Sequence, residues 1–209
     1  FLFGLTQEQL ARTMFPLGGM VKQQVRELAR ELGIATASKP DSQEICFVPN
    51  GDYARFIDSY FEEQGIAPAR TRGEIVDASG KVLGEHAGVH KFPVGQRKGL
   101  GIAAREPLYV LSTEPASQRV VVGSNDDLLR ARLHVKDFNW ISIAPPSEPL
   151  RARVRIRNKH APAAAMVTPT GDPRRIEINF DEPQRAVTPG QGAVLYGDDD
   201  LVLGGGWIE

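Results

Sequence analysis

L-R-A-R-V-R-I-R-N, residues 150–158, alternates strictly: Ala152, Val154 and Ile156 fall on one side, and Arg151, Arg153, Arg155 and Arg157 on the other. A period of two marks a strand with one face in a core and one face in solvent. Such a row of cations can be a plain outer face. Four like charges with no interleaved acid repel one another, so a polyanion partner is the better explanation. Lys159 extends the row.

Working outward, Ala163–Thr168, Arg175–Phe180, Ala193–Tyr196 and Leu201–Gly204 are further short apolar runs between Gly- and Pro-containing turns. Short strands at that spacing predict a small barrel. Thr188–Gln191, T-P-G-Q, reads as a turn, and Gly204–Gly206 as a bulge or barrel corner. Toward the N-terminus, Leu108–Leu111, Arg119–Gly123 and Leu133–Phe138 read as strands, N-D-D-L as a turn and Ala144–Pro149 as a loop. Gly73–Leu83 reads as a hairpin, with Asp77 and Gly80 supplying the turn chemistry.

The first third of the chain reads differently. Phe1–Leu5 is expected to be the end of a strand, and Thr6 to cap a helix over Gln7–Met14. Val21, Val25, Leu28, Ala29 and Leu32 recur at helical spacing, ended by Gly33. Asn50 or Asp52 caps a third helix, whose stripe of Tyr53, Phe56, Ile57, Tyr60 and Phe61 is expected to face a core. Residues 67–72 form a Pro-containing linker.

Composition sets bounds. At 209 residues the chain is large for one domain and short for two big ones. Hydrophobic content of 41% and charged content of 24% suit a soluble globular protein. A net charge of −1 excludes a uniformly basic surface but leaves room for a basic stripe on one face. No apolar run is long enough to cross a bilayer. A single cysteine excludes an internal disulfide framework and argues against a cysteine zinc site. A reducing, cytosolic setting fits.

That cysteine, Cys46, sits in S-K-P-D-S-Q-E-I-C-F-V-P, residues 38–49, where the polar residues Asp41, Ser42 and Gln43 lead into apolar Ile45, Phe47 and Val48. It is either a small buried hydrophobe or a nucleophile and sulfur carrier at a strand edge. His86 and His90 stand four apart, but Gly88 between them and Pro93 beyond argue against a helical metal site, so they read as loop histidines. A Cys46–His90 hydrolase pair is a further alternative. In Gly95–Gly101, G-Q-R-K-G-L-G, three glycines permit close backbone approach, and Arg97 and Lys98 are cations suited to phosphate. An exposed turn and an RNA-backbone contact are the two readings of this loop.

The motifs together resemble one family. D-S-Q-E-I-C-F at Cys46 resembles the second-cysteine motif of the tRNA-specific 2-thiouridylases. The pattern continues in order with H-x-G-x-H-x-F-x-x-G-Q-R-K-G-L-G-I from His86, R-V-V-V-G from Arg119 and R-x-R-V-R-I-R from Arg151. R-A-V-T-P-G-Q-x-A-V from Arg185 and L-G-G-G-W-I from Leu203 complete it.

The resemblance implies an α+β multi-domain chain. Residues 1–50 would be the tail of an α/β nucleotide-binding domain of the PP-loop type, 51–126 a small β-rich middle domain that binds tRNA, and 127–209 a C-terminal β-barrel. It implies ATP and magnesium held by a preceding domain, with an S-G-G-x-D-S loop and a first catalytic cysteine; neither motif occurs in this sequence. Cys46 would carry a persulfide received from a cysteine desulfurase or sulfur-relay protein, and the first cysteine would pair with it as the sulfur leaves. tRNA contacts would fall on Arg157, Asn158 and Gln191, with the Arg97–Lys98 loop near the active site. Asn158 stands where the family has Tyr, which removes a stacking ring. No metal ligand is implied in this chain, the setting is the cytoplasm, and the chain alone is expected to be inactive. The competing function is a non-catalytic RNA-binding β-barrel with a structural Cys46.

Overall fold

The computed structural model describes residues 2–40, 48, 52–65 and 72–209. Cys46 lies outside the described residues, as do Asp41, Ser42, Gln43, Ile45, Phe47, Asn50 and most of the expected linker. The chain divides into two compact units, Glu8–Ile66 and, together, Phe1–Gln7 with Ala67–Glu209.

The smaller unit is helical: α1 spans Gln7–Ala11, α2 Lys22–Glu31 and α3 Tyr53–Glu63. Helix α2 ends where Gly33 turns to φ +66°, a left-handed conformation that glycine adopts without penalty. Asp52 caps α3, its Oδ1 accepting the Arg55 N–H at 3.0 Å. Two expectations are corrected. Helix α1 stops at Ala11 rather than Met14, because Arg12 and Thr13 close onto the i−3 carbonyls of Gln9 and Leu10. The aromatic stripe of α3 has the expected spacing but no buried residue, with Tyr53, Phe56 and Tyr60 all more than a third exposed. A stripe defines a face; what covers it is a tertiary matter.

In the larger unit Leu2–Leu5, the described part of the expected strand end Phe1–Leu5, is not a strand. Leu2–Gly4 is a 3-10 turn held on the barrel surface. The Asn139 side-chain amide donates to the carbonyls of Phe3 (2.7 Å) and Leu5 (2.9 Å), and the Phe3 ring meets Trp207 edge-on. With its carbonyls engaged by a side chain, the segment has no need of a ladder partner.

Strands β1 (Gly73–Asp77), β2 (Val82–His86), β3 (Tyr109–Glu114) and β4 (Arg119–Gly123) form one sheet in the order β2-β1-β4-β3. The hairpin β1–β2 is as the sequence predicts: Asp77 Oδ1 accepts from Ser79 N, Ser79 Oγ and Lys81 N, and Gly80 sits at φ +86°. Strands β1 and β4 pair in parallel, a non-local contact. Ile75, Phe92, Leu100, Val110, Val120 and Val122 form the core of this sheet.

The remaining strands close a barrel. They are β5 (Leu129–Trp140), β6 (Leu150–Arg155), β7 (Ala163–Pro169), β8 (Ile176–Arg185), β9 (Gly192–Tyr196) and β10 (Val202–Ile208). The order around it is β10-β5-β8-β7-β6-β9, and each pair is antiparallel. Closure leaves no free edge. Val135, Val154, Val167, Ile178 and Leu195 are fully buried inside, each contributing about 1.5–3 kcal/mol by removal from water. Gly204–Gly206 is the corner: the register against β5 shifts between Gly205 and Trp207.

Candidate nucleic-acid interface

The arginine row on β6 is where the structure most changes the sequence reading. The inward half is as expected, with Ala152, Val154 and Ile156 buried. The outward half is not a row of free cations. Both Arg151 guanidinium Nη groups donate to the Asp181 carboxylate on β8, and this hydrogen bonding holds the Asp181 carboxyl below the usual range. Arg153 pairs with Asp200 at 3.0 Å and also donates to the Gly197 carbonyl. Arg155 lies 5.8 Å from the Tyr196 ring centroid. The acids absent from the local sequence arrive from elsewhere in the chain, Asp181 from β8 and Asp200 from the turn between β9 and β10, so repulsion along the row is relieved at its start and not at its end.

The end of the row is different. Arg157, past the last residue of β6, is exposed and donates Nη1 to the Arg185 carbonyl at 2.9 Å. No carboxylate among the described residues pairs with it. Asn158 and Lys159 beside it are exposed. Strand β9 runs antiparallel to β6, with Arg155 opposite Val194, so the start of β9 and the end of β6 lie at the same end of the barrel. Gln191 immediately precedes β9 and is exposed there. Its turn is fixed by Gly190 at φ +80° and by backbone bonds to Ile208 in both directions.

Arg185 joins this barrel end to the four-stranded sheet. Its Nε donates to Asn125 Oδ1 at 2.9 Å, and its guanidinium lies 5.1 Å from the Tyr109 ring centroid. The next residue, Ala186, donates its N–H to the Leu128 carbonyl. Gly95 abuts the same place: a Cβ there would stand 3.3 Å from that of Ala186 and 3.8 Å from an Arg185 guanidinium nitrogen. The glycine loop thus begins against the barrel end that carries Arg157. Gly95, Gly99 and Gly101 all have positive φ, and Arg97 and Lys98 at the loop tip are exposed. Sequence reasoning did not single out Arg185, Tyr109 or Asn125. The signal available was an arginine opening the motif R-A-V-T-P-G-Q, but its partners are 60 and more residues away.

Of the two histidines, His86 has its ring fully engaged. His86 is buried, its Nδ1 accepts the Gly88 N–H at 3.0 Å and its Nε2–H donates to the Gln118 carbonyl at 3.1 Å. Both ring nitrogens are engaged in holding the turn. Burial is the main cause that pushes the His86 pKa down, and protonating Nδ1 would also break the Gly88 bond. A depressed folded-state pKa means that the unfolded chain takes the proton first. The stabilisation is therefore complete above the unfolded value of about 6.5 and is lost as pH falls from there through the folded value. In urea titrations between about pH 7.5 and pH 5, stability should fall with acidification in the wild type. His86→Gln should flatten that part of the profile, and an unchanged slope would show that the titration belongs elsewhere.

Three family models match in order along the chain. They are a tRNA methyl transferase HUP domain over residues 1–50, a tRNA methyl transferase PRC-barrel domain over 59–124, and an aminomethyltransferase beta-barrel domain over 130–208. Whole-chain relatives are the tRNA-specific 2-thiouridylase MnmA of Solibacter usitatus, 63% identical over 211 residues, and that of Acidobacterium capsulatum, 59% identical. Each alignment covers all of this chain. The chain belongs to the tRNA-specific 2-thiouridylase family. It spans a little over half the length of these relatives, 57% and 56% respectively.

The family assignment gives the architecture its names: a short HUP-domain piece, a PRC-barrel middle domain and a closed six-stranded C-terminal barrel. The Arg157–Asn158–Gln191 group sits on the last of these, and the Arg97–Lys98 loop on the middle domain. No helix among the described residues is long and apolar enough to cross a membrane.

Proposed function

We propose that this chain is the RNA-handling and sulfur-carrying part of an enzyme that replaces the C2 oxygen of the wobble uridine of tRNA with sulfur. The observation that carries the reading is a combination. The Cys46 motif stands in one chain with a barrel end where Arg157, Asn158 and Gln191 gather beside the glycine loop of Arg97 and Lys98. Two of the matching models carry tRNA methyl transfer in their names and the third carries aminomethyl transfer. The cysteine motif favours the thiolation for which the relatives are named.

In this reading residues 1–50 close a nucleotide-binding domain, 51–126 form the middle tRNA-binding domain and 127–209 the barrel. Cations at the barrel end and loop hold the RNA backbone, which fixes register without reading sequence. The target uridine leaves the anticodon stack to be reached. ATP, with magnesium, would supply the activation: its adenylyl group passes to the uridine O2 with release of pyrophosphate, which makes that oxygen a leaving group. In this reading ATP and magnesium are held by parts of the full-length protein that this chain does not span. Cys46, as thiolate, accepts a sulfane sulfur from a cysteine desulfurase or relay protein and becomes a persulfide. The terminal sulfur goes to C2, directly or as hydrosulfide. The C2–O bond breaks and AMP leaves. A first cysteine outside this chain forms a disulfide with Cys46 as the sulfur departs. A reducing cytoplasm then restores the thiols.

The test gives the full-length protein unmodified tRNA, ATP, magnesium and a persulfide donor, and quantifies 2-thiouridine by nucleoside mass spectrometry. Product is expected from the full-length protein and none from residues 1–209 alone. Product from this chain alone would overturn the division of labour. Binding of tRNA with no product from the full-length protein would favour a non-catalytic RNA-binding barrel.

A further inference from the structure

The fold sorts the chain's cations into two classes. Arg151, Arg153, Arg174 and Arg175 are each paired with an acid at 3.0 Å or less. Arg97, Lys98, Arg105, Arg157 and Lys159 are exposed and have no ion pair among the described residues. Arg130 and Lys136 are also exposed and without an ion pair among the described residues, but these five follow one junction. Arg97 and Arg105 line one open groove of about 410 Å³ with Gly99 and Gly101 between them. The loop that carries Arg97 starts at Gly95, against Arg185 and Ala186. The Arg185 carbonyl accepts from Arg157, and the Arg157 carbonyl accepts from the N–H of His160, next to Lys159.

We propose that these unpaired cations form a single phosphate-binding track across the junction of sheet and barrel, in which Arg105 and Lys159 contact the RNA backbone while Arg151 and Arg153 do not. The proposal rests on the tRNA reading above and extends it to residues outside the motifs. A cation already held by a carboxylate gains little from a phosphate, because its own ion pair must break and its counter-charge be left behind. An unpaired exposed cation releases a counterion on meeting a phosphate and has nothing to give up. Gly99 and Gly101 offer backbone rather than side chain to a phosphate between Arg97 and Arg105, and Glu106 is the one acid in that lining. Arg185 carries its charge inward, against Tyr109 and Asn125, so it braces the track rather than extending it.

The test measures equilibrium binding of an unmodified tRNA transcript by the full-length protein across a salt series. Arg105→Ala and Lys159→Ala should each weaken binding roughly fivefold near 100 mM salt and lower the log–log salt slope by about one. Arg105→Lys should retain near-wild-type affinity, since a point charge serves a phosphate. Arg151→Ala and Arg153→Ala, on the same strand face as Arg157, should stay within about twofold. All these residues are exposed, and matching unfolding midpoints would show the variants folded. Equal losses from Arg151→Ala and Arg105→Ala would mean that affinity follows net charge, which overturns the track. Losses from Arg97→Ala and Arg157→Ala without losses from Arg105→Ala and Lys159→Ala would overturn it too, and leave the tRNA reading intact. No binding by the wild type would sink that reading and this inference together.

Discussion

A Cys46→Ser variant of the full-length protein should lose 2-thiouridine formation by about a thousandfold or more while binding tRNA as tightly as the wild type. The asymmetry follows from chemistry. Sulfur transfer needs a sulfur atom that can be a thiolate near neutral pH, bond to a second sulfur and release it. A serine hydroxyl matches the thiol in shape but stays protonated and holds no sulfane sulfur. Cys46 is the only cysteine of this chain, so no neighbour within it can take over. Binding rests on other atoms, the cations of the loop and the barrel end. Nucleoside mass spectrometry and tRNA binding on the same preparations separate the two quantities. Equal product from variant and wild type would make Cys46 a structural residue. Inactivation by alkylation with no requirement for RNA would point instead to a thiol hydrolase.

Gly204→Ala should be the most damaging single-methyl change in the barrel, at about 3 kcal/mol of stability. An added Cβ would stand 2.4 Å from the Asn139 carbonyl oxygen and 2.6 Å from a Phe138 ring carbon. The first is backbone of β5 where it pairs with β10, flanked by the Phe138 N–H bond to the Arg174 carbonyl and the Ile141 N–H bond to the Leu203 carbonyl, so it cannot retreat without straining those bonds. The second belongs to a buried ring packed 4.5 Å from Trp140. Gly171→Ala is the matched control, since nothing lies within 4 Å of its Cβ position. Both tryptophans of the chain, Trp140 and Trp207, are on barrel strands, so their fluorescence reports barrel unfolding in urea. A lowered midpoint with unchanged slope is expected for Gly204→Ala, and none for Gly171→Ala. Equal midpoints would mean that the corner has room that the packing denies.

The β6 row shows why half of a surface can be read from sequence and half cannot. Its period of two places Ala152, Val154 and Ile156 inside and the arginines outside, as observed, because side-chain direction along a strand is fixed by the backbone. Who stands opposite each arginine depends on which strands are neighbours. Asp181 is 30 residues from Arg151 and Asp200 is 47 from Arg153. The same holds for Arg185, whose partner Tyr109 comes from β3 of the other sheet and Asn125 from the turn after β4. The stripe of α3 is a parallel case: its spacing is in the sequence, its exposure is not.

By itself, the sequence determined the strand periodicity, the turns at Gly80 and Gly190, a polar cap at Asn50 or Asp52, the glycine corner of the barrel and, through collinear motifs, the family. All of these rest on backbone preferences and side-chain spacing within a few residues. Only the tertiary structure decided the parallel pairing of β1 with β4, the order of strands around the barrel and the descent of Phe3 onto Trp207. It alone divided the arginines into those quenched by carboxylates and those left open to solvent. Those outcomes are set by long-range closure, where charge is balanced between strands far apart in the chain rather than along any one of them.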